Sequence, residues 1–267
     1  MSYERFTVNR IKTVLVPEGG GTMVRLICAV MLFVALSFSP AAAQEPFEKD
    51  SIKTSAGDLE ITFIGHGTLM LAFDGKVIHI DPYGRLADYG KLPKADIIFF
   101  THHHGDHLDP AALQQVRTEK TVVVLTDLCA RNVVGGVVMK NGDARTVMGI
   151  PVRALPAYNL VHRRDNEQPY HIKGEGNGYV LTFGDKQVYI AGDTENIPEM
   201  KALKGIDCAF LPMNLPYTMT PEMVADAARA FRPAVLYPYH YGDTDTSRLV
   251  ALLRDDRDIE VRIRKMR

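Results

Sequence analysis

The chain has no marked excess of charge, few cysteines and no low-complexity tract. Its 267 residues carry 31 Lys and Arg against 32 Asp and Glu. Nucleic-acid-binding proteins usually show a basic excess or a basic stripe, so we expect a small-molecule substrate and no nucleic-acid partner. No internal repeat or acidic tail is visible, and no feature specifies an oligomeric state. The 46% hydrophobic and 24% charged residues are typical of a globular protein.

Cysteine occurs three times, at Cys28, Cys129 and Cys208. Their spacing matches no cysteine-based metal motif. Cys28 falls in a segment that we predict is removed. Cys129 and Cys208 could form a disulfide in an oxidising compartment. Both lie in or beside apolar stretches, however, so two buried free thiols are an equal alternative.

One long hydrophobic run stands out, over residues 26–40. Arg25 precedes it and three alanines at 41–43 follow it, which is the pattern of a secretory signal peptide. The run is shorter than the roughly 20 residues that a bilayer requires, so a cleaved signal is favoured over a membrane anchor. We therefore predict a signal peptide over residues 23–43, a periplasmic or secreted mature protein, and no stable membrane anchor.

Residues 1–22 do not fit an export signal, because they place a polar segment ahead of the charged region. Glu18 and the glycines at 19–21 have purine-rich codons, as a ribosome-binding site does, and they lie just before Met23. Our hypothesis is that translation starts at Met23 and that residues 1–22 are a non-native extension. Residues 44–267 are enough for a single domain with one sizeable core.

Short strand patterns recur along this domain, and helical patterns concentrate in its later part. Many strands with a few helices favour a layered α/β protein over a helical bundle. Strands are predicted in two pieces within residues 60–73 and at 76–80, 96–100, 121–125, 146–155, 178–183, 187–190, 208–211 and 234–237; helices are predicted at 110–116, 198–203, 221–231 (with Thr220 as the cap) and 246–253.

The strongest chemical signal follows the strand pattern at 96–100. His102, His104, Asp106 and His107 lie within six residues. His102 and His104 alternate, so in an extended segment both side chains can point to the same side. Imidazole nitrogens and carboxylates are ligands that zinc prefers. These residue types at this spacing predict a metal site.

The His-x-His-x-Asp-His pattern resembles the signature of the metallo-β-lactamase-fold hydrolases, which are four-layer αββα sandwiches. The segments around Gly65-His66-Gly67, Ile80-Asp81-Pro82, residues 191–194 and residues 238–241 are also similar to that family. Leu108-Asp109 and the Gly-Asp-Thr sequence at 192–194 resemble the branch that contains ascorbate-6-phosphate lactonase and N-acylphosphatidylethanolamine phospholipase D.

The resemblance implies a site for two divalent metal ions, zinc or alternatively manganese. His102 and His104 would hold the first ion, and Asp193 would bridge both; the second ion would be held by Asp106, His107 and His240. The implied reaction is attack of activated water on a phosphodiester, lactone or other ester. Asp106 would orient that water. His66 follows a strand and lies between two glycines, so it could face the site as a proton carrier or supporting donor; a structural hydrogen-bonding histidine is the alternative.

The chain departs from the family pattern at the third ligand of the first metal. Relatives usually carry a histidine there, whereas this chain has Asn159. Either Asn159 ligates through its amide oxygen, or His171 or His162 of the following loop replaces the missing ligand. We favour His171.

The same loop suggests how a substrate is held. Arg163 and Arg164 within residues 160–170 could receive an anionic group, although a solvated surface loop is the more common outcome for such charges. A second segment, residues 214–219 with Tyr217, carries polar and aromatic groups that could contact substrate. Asp81 could accept an N–H from a ligand histidine. The alternative to a hydrolase is a non-catalytic metal-binding or sensing protein on a degenerate form of the fold, but the presence of Asp106, Asp193 and His240 favours catalysis.

Overall fold

Two seven-stranded mixed β-sheets form the framework of the protein, described here by a computed structural model over residues 47–267. The predicted extension at 1–22 and the predicted signal peptide at 23–43 lie outside the described residues. No helix within residues 47–267 has the length and apolar character to span a membrane.

The strands of the first sheet pair in chain order. β1 to β4 are antiparallel, and β4 to β7 are parallel. The strands are β1 Glu48–Thr54, β2 Gly57–Gly65, β3 Thr68–Phe73, β4 Lys76–Ile80, β5 Ile97–Phe99, β6 Val122–Leu125 and β7 Val137–Val138.

The second sheet repeats this topology strand for strand. β8 to β11 are antiparallel, and β11 to β14 are parallel. Its strands are β8 Ala144–Val147, β9 Ile150–Ala157, β10 Gly176–Phe183, β11 Lys186–Ile190, β12 Cys208–Pro212, β13 Val235–Tyr239 and β14 Glu260–Val261. The chain therefore contains a topological duplication that the residue pattern did not reveal.

Helices cover the outer faces of both sheets. They are α1 Pro110–Val116, α2 Pro198–Lys201, α3 Pro221–Phe231 and α4 Thr246–Leu253, with 3-10 turns at Tyr89–Lys91 and Cys129–Arg131. Strand alternation sorts the apolar residues: Ile97 and Phe99 join the core between the sheets, whereas Ile98 and Phe100 pack with α1. The predicted αββα sandwich is thus confirmed.

The predicted bounds of α1, α3 and α4 match the structure, because local capping signals fix them. Thr220 accepts the backbone N–H of Met223 at 3.1 Å, and Pro221 occupies the first turn of α3, as the sequence predicts. Asp109 caps α1 in the same way.

Two features of the sequence-based prediction need correction, and one open alternative is decided. The single strand predicted over 146–155 is a hairpin of β8 and β9, which turns at Met148 and Gly149 with left-handed backbone. β1, β7 and β14 were not predicted; β1 is a polar edge strand whose residues are only half-buried or exposed, so its pattern carries little hydrophobic signal. Cys129 and Cys208 are both buried and free, which decides between the two readings of this pair.

Candidate metal centre

All eight side chains predicted for the site converge at one edge of the sandwich. Most follow the carboxyl ends of parallel strands, which meet at the same edge of a sheet. His102 to His107 follow β5, Asp193 follows β11, and His240 follows β13. His66 lies in the turn between β2 and β3, and His171 lies in the long connection from β9 to β10.

These side chains fall into overlapping donor groups. One group is His102, His104 and His171; another is His66, Asp106, His107 and His240; a third is His102, His107 and Asp193. Within each group the ligand atoms lie within 4.8 Å of one another. The first group contains His102 and His104, and the second contains Asp106, His107 and His240 with His66 in addition.

Asp193 lies between the two sets. Its Oδ2 atom is 3.3 Å from His171 Nε2, 3.4 Å from His240 Nε2 and 3.9 Å from His102 Nε2. Its Oδ1 atom is 3.5 Å from His107 Nε2. Asp193 is therefore placed where a bridging carboxylate would have to be.

The donor atoms fit a divalent metal. His102 Nε2, His107 Nε2, His240 Nε2 and Asp193 Oδ1 are buried with no hydrogen-bond partner, and such orphaned atoms are costly unless something else satisfies them. Two ligands at 2.0–2.1 Å from a tetrahedral zinc lie about 3.3 Å apart, close to the separations around Asp193. The cluster is able to bind metal.

The protonation states also suit ligation, which requires neutral imidazoles and ionised carboxylates. Burial and the neighbouring histidines lower the pKa of His102 well below its usual value and that of His104 to about 4. Burial acts to raise the pKa of Asp193, but the facing His240 and His107 outweigh it and lower that pKa.

His107 behaves differently because it lies between two carboxylates. Burial lowers its pKa, yet Asp193 and Asp81 together raise it well above the usual histidine value. The two carboxylates therefore favour a positive charge at this position.

Asp81 orients this part of the site from below. It is fully buried and accepts the backbone N–H of Thr101 at 2.7 Å, the Thr101 hydroxyl at 2.6 Å and His107 Nδ1–H at 2.8 Å. Since the Thr101 hydroxyl donates to Asp81, it accepts Nδ1–H of His102 at 3.0 Å. Both rings are left with Nε2 facing the cluster.

Asn159, His162 and His171 are the candidates for the position of the missing third histidine. Asn159 Oδ1 faces His171 and accepts both its backbone N–H and its Nδ1–H at 2.8 Å, so Asn159 presents no free oxygen to a metal. His162 Nδ1 lies 2.7 Å from Glu195 and belongs to none of the donor groups. The geometry favours His171 over Asn159 and His162.

A cavity of about 440 Å³ opens above the donor cluster. Arg164, Tyr170 and Tyr217 line it together with the metal-site side chains. Arg164 lies over the ring of Tyr170, 5.1 Å from its centroid, and Tyr170 packs edge-on against Tyr217. Arg163 instead donates to the carbonyl of Glu167 and does not line this cavity.

Two further polar residues belong to the site, and of these only Glu195 was not predicted. Asn214 lines the cavity, and its Nδ2 is 3.3 Å from His240 Nδ1. Glu195 is fully buried behind Asn159. The sequence signal for Glu195 was its place directly after the Gly-Asp-Thr segment, but nothing in spacing shows that it faces a loop 33 residues earlier.

Three of the seven non-glycine residues with positive φ, among the described residues, lie at this edge. His66, Asp81 and His240 have φ values of 50°, 45° and 46°, a left-handed conformation that costs a non-glycine residue about 1–2 kcal/mol. Such strain persists only where the surroundings over-determine it, often at functional sites.

The fold and the donor cluster together define a metal-binding protein of the metallo-β-lactamase type. The β-lactamase superfamily domain profile matches residues 60–240, and the chain belongs to that family. It is a metal-dependent hydrolase of the metallo-β-lactamase superfamily.

Named relatives agree with this assignment. The chain is 30% identical over 193 residues to a UPF0173 metal-dependent hydrolase of Pelotomaculum thermopropionicum, an overlap that covers 68% of this chain and 84% of the relative. A structure from Parabacteroides distasonis, described provisionally as a metal-dependent hydrolase, is 51% identical with a TM-score of 0.79, covering 83% of this chain and all of that one.

The fold extends to more distant proteins. Igni18, a metallo hydrolase from Ignicoccus hospitalis, has a TM-score of 0.64 at 24% identity, with 77% of this chain and 94% of that chain covered. The resemblance to the lactonase and phospholipase branch stays a prediction.

Gly67 offers a test of the packing around the site. A methyl group at this position would lie 2.7 Å from His107 Cε1 and 3.5 Å from His240 Cδ2. We expect Gly67→Ala to displace these rings and weaken metal binding about 10–100-fold, as changes to the support of metal ligands do. Zinc affinity measured by chelator competition checks this.

Gly105→Ala is the matched control, because the added methyl would meet no atom within 4 Å. Equal zinc affinities for the two variants would show that contact at Gly67 does not position the rings.

Proposed function

We propose that the protein is an exported hydrolase that uses two divalent metal ions, zinc in the first instance, to attack an ester bond. The substrate would be a small phosphodiester, lactone or other ester that carries an anionic group. The observation that carries this proposal is the set of buried Nε2 atoms without hydrogen-bond partners around Asp193, at the floor of an open cavity.

The residues divide into two donor sets that share Asp193. His102, His104 and His171 would hold the first ion, and Asp106, His107 and His240 the second. Divalent ions at such a site supply Lewis acidity and bring the pKa of water close to neutrality.

The contact between Asp106 and His66 supports a role for this pair in proton transfer. His66 Nε2 lies 3.0 Å from Asp106 Oδ2, and both side chains line the cavity. Burial lowers the pKa of His66, so its ring is neutral near pH 7 and donates to the carboxylate. We infer that Asp106 orients the attacking water and that His66 moves the proton toward the leaving group.

The cavity wall supports an anionic substrate. Arg164 is the one cationic side chain, among the described residues, that lines this cavity, and it makes no ion pair there. Exposed apolar side chains adjoin two of the lining residues in the chain, Ile172 after His171 and Leu215 after Asn214. An ester with an anionic group and an apolar portion would match both features.

Asp106→Ala tests the hydrolytic site. We expect kcat/KM to fall about 10³-fold, since several kcal/mol of transition-state stabilisation depends on this group. The fold should survive, because Asp106 lies in a loop and is not part of the core. Turnover on phosphodiester, lactone and carboxylic-ester panels gives the measurement, with elemental analysis of the wild type expected to show two metals per chain.

A wild-type protein that carries no stoichiometric metal, or a D106A variant with normal turnover, would overturn this function.

Arg164 and Arg163 form a matched pair for substrate recognition. Removing a charge-assisted hydrogen bond costs about 1.5–3 kcal/mol, so Arg164→Ala should lower kcat/KM for an anionic ester about 10–100-fold. Neutral esters should be unaffected. Arg163→Ala should leave both substrates unchanged, and an equal effect of the two variants would count against an anion site at Arg164.

Export is proposed from the N-terminal pattern. Expression in a Gram-negative host should yield a periplasmic protein that begins at Gln44, after the three alanines at 41–43. Mass spectrometry of the intact protein from the periplasmic fraction measures this; recovery of residues 1–43 on the soluble protein would contradict it.

A further inference from the structure

Glu195 is a buried acid with an unusual set of partners. It is 0% exposed, and its carboxylate accepts the backbone N–H groups of Leu160, Val161 and His162, each at 2.7 Å. It also accepts Asn159 Nδ2 at 3.1 Å. An ionised carboxylate has no hydrogen to donate, so Glu195 is the hydrogen-bond acceptor in every one of these contacts.

This arrangement fixes the orientation of the Asn159 amide. Asn159 Nδ2 faces two groups that only accept, the Glu195 carboxylate and the carbonyl of Tyr217 at 2.9 Å. Its NH₂ group must therefore point there, and Oδ1 must point to His171. The backbone N–H of His171, which only donates, reaches the same Oδ1 and independently confirms this orientation.

The amide orientation then fixes the tautomer of His171. Since Oδ1 is an acceptor, His171 Nδ1 must carry the hydrogen in their 2.8 Å contact. In the neutral ring Nε2 is then the lone-pair atom, and it lies 3.3 Å from Asp193 Oδ2 within the group formed with His102 and His104.

We propose that Asn159 and Glu195 are positioning residues that hold His171 as the third donor of the first metal. The inference rests on the proposed two-metal function and adds to it the device by which a loop histidine acquires a fixed direction and tautomer. Thr101 and Asp81 do the same for His102 and His107, so all three rings present Nε2 to the cluster.

The test measures zinc bound per chain and the affinity of each ion, by elemental analysis and chelator competition on the full chain. His171→Ala should lose one of two zinc ions. Asn159→Ala and Glu195→Gln should weaken the same ion about 10–100-fold, the usual effect of changing a ligand's hydrogen-bond partner. The other ion should keep its affinity in all three variants.

Glu199→Gln is the matched control, because Glu199 contacts Tyr158 and Lys173 in the same region but does not touch Asn159. It should bind both ions as the wild type does. Thermal unfolding of each variant separates loss of an ion from loss of the fold. If Asn159→Ala fails to fold, Glu195→Gln, which preserves side-chain size, carries the test.

Rescue distinguishes positioning from general loop support. In the His171→Ala background, Asn159→His should restore the lost ion, because an imidazole at the strand end can ligate without the relay, the chain of hydrogen bonds from Glu195 through Asn159 to His171. The double variant His171→Ala/Asn159→Ala should bind zinc no worse than His171→Ala alone.

Undiminished zinc affinity in both Asn159→Ala and Glu195→Gln overturns the relay. Loss of both ions together in these variants, or the same loss in Glu199→Gln, overturns it as well. A wild type that binds two ions and shows the expected variant pattern, yet hydrolyses no ester, would refute the proposed function and leave the relay standing.

Discussion

A buried carboxylate that must be neutralised governs the architecture of this edge of the protein. Asp193 is 4% exposed, and the effective penalty for removing such an ion from water is several kcal/mol. Four histidines, at 102, 107, 171 and 240, direct Nε2 atoms at it from three different segments of the chain. The carboxylate attracts cationic partners, and the imidazoles in turn leave lone pairs that only a proton or a metal can satisfy.

The duplicated topology explains why so many segments can meet at one carboxylate. In each sheet the fourth strand begins the parallel series, so the carboxyl ends of that strand and its successors open on the same edge. Asp81 follows β4 and Asp193 follows β11. The first sheet supplies Asp81, which lies under the histidines, and the second sheet supplies Asp193, which lies between them. The two facing sheets therefore build a site that neither sheet contains alone.

The sequence predicted features that depend on neighbouring residues, and it did not predict features that depend on contacts between distant parts of the chain. Capping residues such as Thr220 and short apolar runs predicted helices and most strands, and the ligand spacing around His102 predicted the cluster. The polar edge strand β1 was missed because edge strands need few apolar residues. Glu195 was missed because its partners at 159–162 are reached only through the path of the β9–β10 connection, which no periodicity encodes.

The connection between β9 and β10 links metal binding to the substrate cavity. Glu195 binds its first residues, at 160–162, and Asn159 binds its far end at His171. The segment between them carries Arg164 and Tyr170 into the cavity wall. Since a loop held at both ends loses less freedom when a ligand orders it, the two side chains that direct His171 also pre-organise the surface above it. When the loop supplies the ligand histidine, the hydrogen bonds that direct this ligand also fix the shape of the cavity wall. A histidine at the strand end would need no such hydrogen bonds and would leave the loop free to move.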